Sequence, residues 1–314
     1  MRPTSTWVIT DSAIGSQVQA TGLAEAAGLC PEARLLTPRG VWRYLTPTLW
    51  PWPLAAVAPA ALAGPMPDLL IGCGGKAAAV IAALHRRVRG VIVQHPRRDP
   101  RDFDLVVAGR HDELTGPNVL VTRTAIHRVT PARLAAAAAE WGPRLAHLPR
   151  PLIAVLVGGS NGRFRLECAE GEALAGQLAE MMRRDNVGVA ITPSRRTDPA
   201  VSAALRTALE PLGAMIWDGT GENPYFGMLA LADAIVVTQD SISMVSEAAA
   251  TQVPVMVAML PGKSRRGALF LQGLIDDGRV RPFAGRLDSW PVEPLDDTPW
   301  AASELCRRFG YAPS

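Results

Sequence analysis

The chain has 314 residues, too long for one ordinary domain and about right for two of ~150. Hydrophobic residues make up 48% and charged residues 19%, which excludes a disordered chain and supplies apolar material for two cores. A net charge of +3 does not mark a nucleic-acid binder, and none is expected as a partner; a local basic cleft for phosphates is compatible with it.

Short β-branched runs alternate with Ala/Leu-rich amphipathic stretches along the whole chain, the pattern of βαβ units and parallel sheets. In the first half the spacing predicts strands at Trp7–Thr10, Arg34–Thr37, Leu69–Gly72, Val91–Gln94, Leu105–Ala108 and Val119–Thr122. Helices are expected at Gln17–Ala27, Lys76–Arg87 and Pro131–Trp141, the last with Thr130 as N-cap. Gly142–Pro151 is proline-rich and aperiodic, which puts the domain boundary at 146/147. A second series follows, with strands at Leu152–Val157, Val187–Thr192, Met215–Trp217, Ala234–Thr238 and Val255–Ala258. Its helices fall at Leu166–Arg184, Pro199–Leu212, Tyr225–Leu231, Met244–Thr251 and Arg266–Asp277. Two doubly wound Rossmann-like domains, 1–146 and 147–314, account for this series, with the last helix free to return to the first domain.

The four cysteines (Cys30, Cys73, Cys168 and Cys306) form no C-x-x-C pair, and no histidine sits at ligand spacing from them. Neither a zinc site nor a disulfide framework is expected, and no metal or other cofactor is called for. No uncharged apolar run reaches the ~20 residues of a spanning helix, and Met1–Thr10 lacks a signal-peptide pattern. A cytoplasmic protein is expected, with peripheral contact at the inner membrane as an option. The loop 42–53, rich in Trp and Pro with basic flanks, suits an interface with lipid, a partner, or its own domain.

Ligands of open α/β sheets sit beyond the carboxyl ends of the strands. There, Thr238–Ala248 runs from a strand into hydroxyl residues that open a helix, a site for a diphosphate. Glu247 can accept hydrogen bonds from two ribose hydroxyls; alternatively Ser243 and Glu247 cap the helix. Gly158 and Gly159, before Ser160 and Asn161, allow close approach of a phosphate or base, or simply a tight turn. Ser194, Arg195 and Arg196 offer hydroxyl and guanidinium groups to phosphate oxygens. Glu222, Asn223 and Tyr225 stand before a helix and face either a sugar or the helix end. Lys263, Arg265 and Arg266 form a basic loop. In the first half, Asp11, Ser12 and Gln17 flank Gly15, and His111 lies between Arg110 and Asp112. Asp11 or His111 is the candidate general base. His95 reads as structural, and His85, His127 and His147 as surface residues. Asp102-Phe103-Asp104 spells the D-x-D of metal-diphosphate sites but precedes its strand, the wrong end for a ligand.

These segments resemble the mitochondrial fission "elongated mitochondria" family. The resemblance rests on Thr10–Ala26, Gln94–Arg97, Phe103–Asp112, Val157–Phe164, Thr192–Thr197, Glu222–Asp233 and Thr238–Ala248, nearly the whole chain. It implies a build of the GT-B glycosyltransferase type, two domains facing across a cleft with the acceptor on the first and a nucleotide-sugar donor on the second. The Gly158–Ser160 loop and the segment Asp240, Ser241, Ser243, Met244, Glu247 are similar to those of the N-acetylglucosaminyltransferase that completes lipid II. By that likeness Glu247 holds ribose and Ser241–Ser243 the diphosphate. That enzyme's N-terminal glycine-rich loop with a histidine is replaced here by Asp11–Gly15. The expected activity is metal-independent, inverting transfer from a nucleoside diphosphate sugar to a lipid-linked or polysaccharide acceptor of the cell envelope. The alternatives are an adaptor that binds a nucleotide or partner, as in plant members tied to mitochondrial division, and a nucleotide-sugar epimerase or hydrolase.

Overall fold

A computed structural model describes residues 5–312. The chain divides into two units, residues 1–128 with 296–314, and residues 129–295.

Unit 1 runs β1 (Thr6–Thr10), α1 (Ile14–Ala26), β2 (Glu32–Leu35), α2 (Pro53–Ala56), β3 (Leu69–Cys73), α3 (Gly75–Leu84), β4 (Arg89–Val93), β5 (Leu105–Gly109) and β6 (Val119–Thr122). All strands are parallel, in the order β2-β1-β3-β4-β5-β6. Strands buried on both faces need apolar residues at successive positions, and β1, β3, β4 and β5 have them, whereas the edge strand β2 is exposed. Trp7, Ile9, Leu70, Ile92 and Val106 pack on one face with residues of α2 and α3. Val8, Leu69, Ile71, Val91 and Leu105 pack on the other with α1 and the chain's last helix.

Unit 2 begins with α4 (Pro131–Leu145) and continues through β7 (Leu152–Val157), α5 (Cys168–Asp185), β8 (Gly188–Pro193), α6 (Pro199–Leu209), β9 (Met215–Ile216) and α7 (Tyr225–Leu231). It ends with β10 (Ala234–Thr238), α8 (Ile242–Ala249), β11 (Val255–Ala258), α9 (Arg265–Asp276) and β12 (Val280–Pro282). The last helix, α10 (Thr298–Phe309), belongs to unit 1 and packs on α1. The second sheet is also parallel, in the order β12-β11-β10-β7-β8-β9. Read from β9, that is the dinucleotide-fold order 3-2-1-4-5-6, whose direction reverses between β7 and β10. In unit 1 the reversal falls between β1 and β3.

Three expectations are corrected. The first boundary lies at 128/129 rather than 146/147, because α4 packs against α7 of unit 2. Gly142 and Pro143 do not end α4: Trp141 packs on Gly227, where a Cβ would lie 2.4 Å from its ring, and Arg144 pairs with Glu222 at 2.7 Å. Finally, β12 was not expected, since its Arg281 and Pro282 hide the strand pattern.

Candidate functional site

The polar residues of unit 2 converge where β7 and β10 part, the crevice in which doubly wound sheets hold ligands. Their geometry starts from Asp240, whose carboxylate is fully shielded. It accepts from the Gly159 N–H (3.1 Å), the Thr238 hydroxyl (2.7 Å) and Arg196 Nη2 (2.9 Å). Arg196 Nη1 also donates to Gly159 O (3.0 Å), and Gly158 N–H donates to Thr238 Oγ1 (2.8 Å). Asn161 Nδ2 donates to Asp240 O (3.3 Å), while its Oδ1 accepts from Arg163 and Phe164 N–H. The Ser160 hydroxyl bonds both N–H and C=O of Leu166. Thr197 accepts from Ser194 N–H (2.8 Å) and donates to Val157 O and Gly158 O.

One carboxylate thus staples the loops after β7, β8 and β10 together. The glycines are required by that staple. A Cβ on Gly158 would lie 2.2 Å from Asp240 Oδ1, and one on Gly159 would lie 2.1 Å from Arg196 O. Sequence reasoning put Gly158, Gly159, Ser160, Asn161, Ser194, Arg196 and Asp240 against ligand. The structure brings them together, but their side chains and the two glycine N–H groups bond one another. Arg195 remains exposed beside them, with no partner among the described residues.

Glu247 is different. The helix cap is Ser241, which accepts from Met244 N–H at 3.3 Å, so Glu247, more than a turn further along α8, does not cap. It is 7% exposed and takes the Tyr225 hydroxyl as hydrogen-bond donor. Burial pushes its carboxyl up to about 7, and the tyrosine bond holds it from going higher. Burial, then the nearby Glu247 charge, raises the Tyr225 phenol well above its usual range. Ser243 and Met244 lie on the first turn of α8, where the positive end of the helix dipole favours an anion. At the other end of α8, the buried Arg279 guanidinium donates to the carbonyls of Ala248 (3.2 Å), Ala249 (2.8 Å) and Thr251 (2.8 Å). Burial lowers its pKa to about 10, still cationic at neutral pH, a charge placed to favour the helix.

Around this centre, Asn223 accepts from Tyr225 N–H at 3.0 Å, and Glu222 is held by Arg144. The loops before Arg165 and Lys263 are zipped, Arg165 N–H to Pro261 O and Lys263 N–H to Arg163 O. They border a pocket of about 310 Å³ lined by Phe164, Gln239, Lys263, Ser264 and Arg265.

In unit 1, Asp11 follows β1 at the reversal point. It accepts from Ala13 N–H (3.0 Å) and pairs with Lys76 Nζ at 3.7 Å, while Gln17 Nε2 donates to Asp11 O (3.1 Å). His111 stands on the turn after β5, its Nε2 3.6 Å from Asp112 Oδ1. Three strand spacings, roughly 14 Å, separate the ends of β1 and β5, so the two candidate bases do not form a pair. Asp104 bonds the Gly90 N–H at 2.7 Å, a structural task at the amino end of β5. His127, expected at the surface, is 1% exposed, with Nε2 3.2 Å from Asp296 Oδ1. Sequence reasoning placed Thr238, Thr197 and Lys76 in strand-end segments without assigning them these bonds, and missed Arg279. Arg279 gave no local signal, since its partners are carbonyls at the far end of α8.

Two Rossmann-like parallel sheets in one chain make a GT-B-type fold, and solved structures share it. UDP-GlcNAc 2-epimerase from Methanocaldococcus jannaschii is similar over 98% of this chain and 100% of its own, with a TM-score of 0.59 and 11% identity. MurG from Acinetobacter baumannii is similar over 99% and 96%, with a TM-score of 0.53 and 16% identity. The family described as mitochondrial fission ELM1 matches residues 14–309, and the chain belongs to it. Mitochondrial fission protein ELM1 of Arabidopsis thaliana is 34% identical over 77% of the chain, which spans 64% of that relative's length.

Proposed function

We propose that unit 2 binds a nucleoside diphosphate sugar and that the protein transfers the sugar to an acceptor of the cell envelope, glycolipid or polysaccharide. The observation that carries this is Glu247, a carboxylate buried within α8 that accepts a hydrogen bond from a tyrosine hydroxyl. Ribose hydroxyls supply the same kind of donor. The diphosphate lies against the first turn of α8 near Ser243 and Met244, with Arg195 and Lys263 as cations that stabilise it as it departs. No divalent ion is needed in this reading. Asp11 or His111 takes the acceptor proton, and attack opposite the leaving diphosphate inverts the anomeric centre. The similarity to a UDP-GlcNAc 2-epimerase supports a second reading, in which the same donor is epimerised or hydrolysed.

Calorimetric and thermal-shift titration with UDP, GDP, CMP and their sugars tests the donor site. Binding that Glu247→Ala weakens about a hundredfold supports it; no response from any nucleotide at millimolar concentration removes it. Product analysis without acceptor separates the readings: epimer or free sugar points to the second. Pull-down of protein partners that survives Glu247→Ala, in a chain that binds no nucleotide, points instead to an adaptor.

A further inference from the structure

The excursion between β2 and β3 carries a surface with no part in the donor site. Its neck is closed by an antiparallel bridge, Pro38 to Val57, with Arg39 N–H donating to Ala56 O and Ala58 N–H to Thr37 O. Trp50 is buried inside, its indole N–H on Leu45 O at 3.2 Å. This anchor fixes the turns Gly40–Arg43 and Pro47–Leu49, and their neighbours point into water. Val41, Tyr44, Leu45, Leu49 and Trp52 are 42–82% exposed, and Trp52 meets Trp42 edge-on at 6.5 Å. Five large apolar side chains displayed within twelve residues are far from the scattered single exposures of an ordinary surface.

The charged side chains of the excursion itself are all cationic. Residues 33–67 contain no Asp or Glu; Arg34 is tied to Glu32, which leaves Arg39 and Arg43 as the cations of the exposed strip. Arg43 lies 5.8 Å from the Tyr44 ring, and Arg98 Nη2 reaches Pro47 O at 3.0 Å. We propose that this strip docks on an anionic lipid bilayer, with Tyr44, Leu49 and Trp52 at the headgroup–acyl boundary and Arg39 and Arg43 among the lipid phosphates. Aromatic rings with a polar or half-wet edge settle at that boundary, and basic neighbours add attraction to acidic lipid. The strip also lies at the carboxyl end of the unit 1 sheet. Pro47 is 3.7 Å from where a Gly75 side chain would start, and the next residue, Lys76, pairs with Asp11. A membrane-held acceptor would therefore arrive beside Asp11. The docking itself does not depend on the donor-site reading.

Flotation of the full chain with phosphatidylcholine vesicles, with and without phosphatidylglycerol, tests this. Binding is expected only to the acidic vesicles. Tyr44→Ser/Leu49→Ser should reduce it at least tenfold, and Arg43→Glu about tenfold by removing one cation and adding an anion. All three side chains are exposed, so folding should survive, which an unchanged melting curve verifies. Leu269→Ser, an exposed leucine of unit 2, is the control and should bind normally. The proposal is overturned if the native chain floats with neither vesicle, if it binds neutral vesicles equally, or if the strip variants bind as well as the control. It is equally overturned if vesicles are ignored while light scattering shows self-association that the double variant abolishes.

Discussion

The two reversal points share a topology and differ in bonding. In unit 2, the crevice between β7 and β10 is lined by loops locked around a shielded Asp240. In unit 1, the crevice between β1 and β3 carries Asp11, a quarter exposed, with one ion pair at 3.7 Å and one N–H bond. The contrast suits a fixed binder of a constant group on one sheet and an adaptable chemical group on the other. It also ranks the residues: those that build the crevice should dominate stability, and those that face into it should dominate binding or turnover.

Asp240→Ala should have the largest effect. It leaves the Gly159 N–H and the Thr238 hydroxyl without their acceptor and frees the half-exposed Arg196 guanidinium to turn to water, at a cost of about 2–4 kcal/mol. Chemical denaturation reads this directly. A loss below about 1 kcal/mol would mean the three loops hold without their staple.

Glu247 sharpens the comparison through pH. Its folded value of about 7 lies above its ordinary 4.5, so the folded chain holds the extra proton between those values. Stability should therefore fall as pH rises from 4.5 to 7 and level off above. Glu247→Gln removes that penalty: a gain on the order of 3 kcal/mol at pH 8, vanishing near pH 4. Nucleotide affinity should move the opposite way. Ribose hydroxyls donate to the ionised carboxylate, so wild-type affinity should rise through pH 7, and Glu247→Gln should flatten the profile. Enhanced stability at pH 8 with an unchanged affinity profile would leave Glu247 buried but outside the ligand site.

Arg279→Met tests the far end of α8. Three carbonyls lose their donor and the helix loses a cation at its negative end, a loss of about 2–3 kcal/mol by denaturation. Nucleotide binding should persist if α8 still forms, since Arg279 sits at the opposite end from Ser241.

Much of the fold was legible because parallel strands buried on both faces spell uninterrupted apolar runs: β7, β10 and β11 fall where the sequence puts them. What failed was decided by distant contacts. Gly142-Pro143 reads as a linker, but Trp141 on Gly227 carries α4 past it. His127 is polar between Ile126 and Arg128, and nothing local reveals that Asp296, from the returning segment, lies against it. At the site, the sequence picked the right strand ends. It could not show that Asp240 and Arg196 are spent on each other, because a guanidinium and a carboxylate 44 positions apart look equally ready for phosphate.

Asp11 should show the smallest effect on stability and the clearest on turnover. Its ion pair with Lys76 is partly exposed and longer than a hydrogen bond, so Asp11→Asn should cost under about 1 kcal/mol. Asparagine can keep the turn to Ala13 N–H, so the loop should stay in place. As the proton acceptor, however, Asp11 is irreplaceable by an amide, and transfer should fall by about a hundredfold or more with donor binding unchanged. His111→Asn supplies the counterpart: its ring packs where a Gly109 side chain would begin, so the substitution should cost stability first. If transfer survives Asp11→Asn but not His111→Asn in a chain that melts normally, the proton goes to the end of β5 rather than β1. If it survives both, neither residue is the base, and the adaptable side of the comparison does its chemistry elsewhere.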